Sequence, residues 1–238
     1  MKVLLLLLAA ALPVLADDTT PAKPWATNIG AGLAFTSGNT DTKSLNFSFG
    51  TKYDPHTRFV FKADALYLRG ESNGVVQVDK ATADAREEYA LSDRTFTFAE
   101  LSYLRDVFKD INYLVAPLVG GGYRLVKADR ENLTVDGAGG AQFESDTGAG
   151  KSSSGAVKAG ENFDYALSKT SKVTQKLTGL WKTSDFGDAL YHFDAALTTT
   201  VTARTELKVA YTYDYKSKPL AGIKKGDSAL FAALVMKF

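Results

Sequence analysis

The chain has 238 residues, with 28 Lys and Arg against 27 Asp and Glu, two His and no Cys. So even a charge balance excludes a nucleic-acid partner, which needs a basic surplus on one face, and the lack of thiols excludes a disulfide framework or a thiolate metal centre. No segment after the first residues reaches the roughly 18 to 20 uninterrupted apolar residues of a spanning helix.

Lys2, the apolar run 3–11 and a small residue at Ala16, preceded by Pro13 and Val14, have the form of a secretory signal peptide. Cleavage after Ala16 is expected, which removes one Lys and leaves 27 charges of each sign. Residues 17–24, rich in Asp, Thr and Pro, form a short periplasmic lead-in. From Trp25 onward the pattern is uniform, apolar alternating with polar and without a helical segment or a linker, so 25–238 is expected to be one continuous sheet.

Turn residues divide that sheet into twelve expected strands: 25–37, 43–53, 58–69, 79–91, 95–105, 111–125, 132–144, 155–166, 172–182, 189–201, 206–216 and 227–238. About 11 residues per strand, at about 3.3 Å each and a tilt near 40°, span roughly 28 Å, the apolar thickness of a membrane. One face of each strand is suited to lipid: Trp25, Ile29, Leu33 and Phe35 in the first, Leu45, Phe47, Phe49 and Tyr53 in the second, Phe59, Phe61, Ala63, Ala65 and Tyr67 in the third. The last strand puts Leu230, Ala232, Leu234, Met236 and Phe238 on one side. The fold class expected is all-β, an antiparallel transmembrane β-barrel of about 12 strands, closed by pairing the last strand with the first. Short turns such as 53–58, 91–95, 127–130, 167–172 and 202–205 belong on the periplasmic side, and the longer stretches 70–77, 145–154 and 217–226 read as extracellular loops.

The opposite face of the strands gives the lumen. Lys62, Asp64, Arg86, Glu88, Arg124, Lys158, His192, Asp194, Lys208 and Asp214 fall on it, with Lys52, Asp84, Asp136, Asp164 and Lys176. Charges of both signs there either brace the barrel as ion pairs or line a polar conduit, and their balance gives no preference for anions or cations. Glu161 shares the phase of Val157, Ala159, Phe163 and Tyr165, so strict alternation would put it in lipid; a β-bulge turning it into the lumen is expected instead. Glu100 follows Phe96 and Phe98, so the lumen assigned to it requires the two aromatics to point inward or the alternation to break. His56 sits in a turn beside Pro55, and neither it nor His192 stands in a local nucleophile motif. Gly120, Gly121 and Gly122 lie within a strand and read as close packing or curvature, not as a phosphate loop.

The segments 33–42, 92–103, 120–125 and 222–227 resemble the salt-induced outer-membrane protein family of Gram-negative bacteria, a family of unknown function, over nearly the whole span from Trp25 to Phe238. The resemblance implies an outer-membrane barrel and a link to osmotic conditions, and carries over no substrate or catalytic residues. The reading that results is a monomeric outer-membrane barrel, either a narrow passive pore or an envelope protein of salt adaptation. Its rivals are a barrel-embedded enzyme acting on lipid or lipopolysaccharide and a sealed structural barrel. No catalytic residue, cofactor or metal is expected. The partners implied are outer-membrane lipid, lipopolysaccharide and the outer-membrane assembly machinery.

Overall fold

The computed structural model describes residues 24–37, 42–72, 75–148 and 150–238. The signal peptide, its cleavage site and all of the lead-in but Pro24 lie outside the described residues, as does the turn 38–41. Twelve strands follow in chain order: β1 (Trp25–Ser37), β2 (Thr42–Tyr53), β3 (Phe59–Ser72), β4 (Val75–Ala90), β5 (Thr95–Asp106), β6 (Ile111–Lys127), β7 (Glu131–Asp146), β8 (Gly150–Ala166), β9 (Ser171–Lys182), β10 (Asp185–Thr202), β11 (Thr205–Lys216) and β12 (Gly226–Lys237). Each pairs antiparallel with its neighbours, and β1 pairs with β12 from Asn28 against Lys237 to Ser37 against Ser228, which closes the ring. Closure satisfies every strand edge, a condition for backbone held in hydrocarbon.

Alternation decides which way each residue faces. In β12 Phe231, Ala233 and Val235 are buried inside while Leu230, Leu234 and Met236 are exposed outside. Ile29, Leu33 and Phe35 of β1 and Leu45, Phe47 and Phe49 of β2 continue the outer belt. Aromatic pairs mark its rims, among them Trp25 with Tyr53 at 4.7 Å and Trp181 edge-on to Tyr191 at 5.7 Å.

Two expected loops are strand instead. Over 145–154 the β7 and β8 ladder continues through Gln142 against Ser154, Glu144 against Ser152 and Ser145 against Lys151. The buried Glu144 carboxylate accepts from Ser152 and Gln142, so the serine-rich segment has inward partners that a free loop would lack. Likewise Glu71 pairs with Val76 and Ser72 with Val75, which zips up most of 70–77. The connection 217–225 remains a long one.

The barrel is not round. A ring of twelve strands at ordinary spacing and tilt has a backbone diameter of about 24 Å, more than Lys and Asp side chains bridge. Yet Lys80 of β4 pairs with Asp214 of β11, Lys158 of β8 with Glu100 of β5, and Lys176 of β9 comes within 4.0 Å of Asp84 on β4. Two glycine seams on opposite sides of the ring allow this flattening. A Cβ on Gly32 would stand 2.0 Å from the Ala232 carbonyl oxygen at the β1 and β12 seam, and one on Gly140 would stand 2.1 Å from that of Pro117 at the β6 and β7 seam. A side chain at either position would collide with the backbone of the next strand, so glycine is what allows the close approach at these two corners of the oval.

Candidate functional site: the lumen

Arg86 organises the half of the lumen nearer the two termini. Its guanidinium lies within 3.0 Å of Glu88 and Asp136 and 3.1 Å of Glu100, and sits 3.5 Å over the Phe98 ring. Lys62 reaches Glu88 at 2.9 Å, Arg124 lies 4.7 Å over Phe96, and Lys158 pairs with Glu100. Phe96 and Phe98 therefore do point inward, in phase with Glu100, and their faces carry the two arginines. The Phe96 ring fits because Gly122 lies opposite it, where a Cβ would meet the ring at 2.2 Å.

Farther along the axis a bracket crosses the lumen. Lys80 pairs with Asp214, whose carboxylate also binds His192 Nδ1 at 2.8 Å. The connection between β5 and β6 joins in: a 3-10 turn over Val107–Lys109, capped when Asp106 accepts the Lys109 amide at 3.2 Å, ends at Asp110 with φ 62°. It turns Lys109 into the barrel, where the ammonium donates to the carbonyl of Asp214 at 2.8 Å and pairs with Asp227 at 3.3 Å. At the mouth beyond, Lys182 pairs with Glu144 and with Asp188, and Lys216 pairs with Asp146.

A cavity of about 570 Å³ runs beside the bracket, lined by Lys172 and Lys208 toward the termini and by Lys80, His192 and Asp214 at the bracket. A second, of about 330 Å³ around Arg86, shares Asp64, Asp84, Lys158 and Lys176 with it. Asp64, Asp194 and Lys208 face the larger cavity without an ion pair within 4.0 Å among the described residues. Five contiguous leucines, Leu104, Leu114, Leu118, Leu180 and Leu190, form an apolar arc on the same cavity.

Of the residues read as luminal, Lys62, Asp64, Arg86, Glu88, Glu100, Arg124, Lys158, His192, Asp194, Lys208 and Asp214 do line the interior. Glu161 does not. The β8 register runs unbroken past Val135 against Glu161 and Glu161 against Leu177, so no bulge forms and the carboxylate stays on the outer face. Its neighbour Gly160 is held inward because Asp136 packs against it, a Cβ there meeting Asp136 Oδ1 at 2.9 Å. Outside, Gln175 donates to Glu161 at 3.4 Å. Lys80 and Lys109 were missed by sequence reasoning. Lys80 shares the inward phase of Asp84 and Arg86 and was open to the same argument, whereas Lys109 lies in a connection where alternation assigns no face.

A closed twelve-stranded antiparallel barrel with an apolar outer belt and a charged lumen is the architecture of an outer-membrane β-barrel. Residues 29–238 match the family described as protein of unknown function, DUF481, and the chain belongs to that family. The uncharacterized protein YdiY of Escherichia coli strain K12 is 23% identical over 208 residues, covering 87% of this chain and 80% of its own length. Among solved structures, the NanC porin is similar with a TM-score of 0.60 at 9% identity, covering 88% of this chain and 100% of its own. An outer membrane channel from Pseudomonas putida F1 gives 0.57 at 13% identity, covering 95% and 100%. At such identities the likeness is one of fold.

Proposed function

We propose that the barrel is a narrow passive pore of the outer membrane, exported by its signal peptide and inserted with both termini in the periplasm. The observation that carries this reading is the pair of adjoining cavities, about 570 and 330 Å³, which share charged walls and lead from the terminal end up to the Lys80 and Asp214 bracket. The porin-like fold supports it. Mixed charges along the path predict weak selection between cations and anions.

Planar-bilayer recording from the purified, folded protein tests the reading: single-channel steps in KCl with a reversal potential near zero across a salt gradient are expected, and a folded barrel that never conducts overturns it. Lipid and lipopolysaccharide outside, and the assembly machinery on the way in, are the partners this reading entails. A link to osmotic conditions rests on family resemblance and would appear as expression rising with external salt. The His192 and Asp214 pair has the form of a base and its orienting carboxylate, but it opens on the luminal cavity and not on the lipid-facing belt, which disfavours the lipid-acting enzyme. Lipid turnover abolished by His192→Ala would favour the enzyme instead.

A further inference from the structure

We propose that the preferred solute of this pore is a small amphipathic zwitterion, an α-amino acid with an apolar side chain. The inference rests on the pore reading and deepens it. The larger cavity, at about 570 Å³, falls within the roughly 300 to 1,000 Å³ of pockets that take small molecules.

Its walls offer three kinds of contact. Leu104, Leu180 and Leu190, half-buried and packed against the buried Leu114 and Leu118, present an apolar surface that a conduit for inorganic ions has no use for. Such a surface favours a solute carrying apolar area and disfavours one that must stay hydrated all round. Asp64 and Asp194 supply carboxylates, and Lys208 an ammonium, none of them taken up by an ion pair within 4.0 Å among the described residues. Lys176 adds a second ammonium, held only loosely by Asp84 at 4.0 Å. Unpaired groups of opposite sign on facing walls suit a solute that brings both charges at once, because its ammonium and carboxylate meet partners without a counter-ion. A lone anion or cation would meet an unmatched charge of its own sign. A neutral sugar would leave the ionic groups unsatisfied and gain little from leucine.

The test uses folded full-length protein in liposomes loaded with labelled L-leucine or L-serine. A simple size sieve favours serine, the smaller molecule. The proposal expects leucine to leave about fivefold faster, through partial burial of its isobutyl group against the leucine wall. In Leu104→Asn and Leu180→Asn, each checked for heat-modifiable mobility as a sign of folding, that ratio is expected to fall toward one while KCl conductance persists. A wild-type ratio of one or less with KCl conductance intact overturns this inference and leaves the pore standing. A ratio unchanged in both folded variants overturns the role given to the leucines. Folded protein that passes neither KCl nor amino acids overturns the pore reading itself, and this inference with it.

Discussion

Lys80 on β4 holds the carboxylate of Asp214 on β11, five strands away around the ring, and His192 shares the same acid at 2.8 Å. The two partners are not equivalent. Asp214→Asn leaves a nearly buried ammonium without its direct ion-pair partner, whereas Lys80→Met leaves Asp214 still bound by His192. We expect the first to cost on the order of 3 kcal/mol and the second clearly less. Urea unfolding of both variants in detergent measures it, and equal losses would show that the bracket is not what stabilises this level of the lumen.

Arg86 is expected to be the most sensitive single charge in the barrel. Its removal in Arg86→Met leaves Glu88, Glu100 and Asp136 crowded together, with Lys62, Lys158 and Arg124 left to offset them. The loss should be about 3 to 5 kcal/mol. Phe98→Leu keeps the carboxylate contacts and removes only the ring beneath the guanidinium, a change of about 1 to 2 kcal/mol. The ratio of the two, read from unfolding midpoints, separates the ionic from the aromatic contribution.

Much of this was legible in the sequence because a period of two is a strong signal when one face meets lipid. Strand number, closure of β12 on β1 and most luminal charges follow from it. Glu161 shows where the reasoning erred: the cost of an acid in lipid was set above the cost of breaking register, but the inward place of Gly160 against Asp136 fixes the register. The loops at 70–77 and 145–154 were misread because Gly and Ser signal turns locally, while inward partners such as Glu144 are distant in sequence. The crossing of the lumen was invisible for a related reason. Alternation says which face a residue takes and nothing of what stands opposite.

Glu161→Leu is expected to leave assembly intact and to stabilise the barrel by about 1 kcal/mol, because an outward acid near the lipid is replaced by a side chain the belt already uses. Its one side-chain hydrogen bond among the described residues, the 3.4 Å contact from Gln175, is a weak loss. Folding titrations into phospholipid bilayers would decide the matter, and a marked destabilisation would mean that Glu161 has a partner in the membrane.

The turn after β2 carries a small acid sensitivity. The Lys52 ammonium, at 2.8 Å, holds the Asp54 carboxyl below its ordinary value of 3.8, with help from the His56 amide and against some desolvation. Folded protein thus keeps this group ionised at a pH where the unfolded chain has taken up a proton. The stabilisation is complete above the ordinary value and disappears as pH falls through the lowered one. In Asp54→Asn the slope of stability against pH in that acid range should be shallower, and an unchanged slope would count against the pairing.

If the lumen is the proposed passage, the flattening of the ring separates what sets its size from what lines it. In an oval the short axis sets the exclusion limit, and here it runs between the walls that Lys80 and Asp214 join, while Gly32 and Gly140, neither of which lines the described cavities, lie at the ends of the long axis. In the proposed pore, calibre and chemistry would then be independently adjustable: side chains such as Asp64 and Lys208 would choose among solutes that fit, while the two corners would decide which solutes fit at all. A substitution at a corner would act like a change of frame, passing wider molecules without altering a single luminal charge.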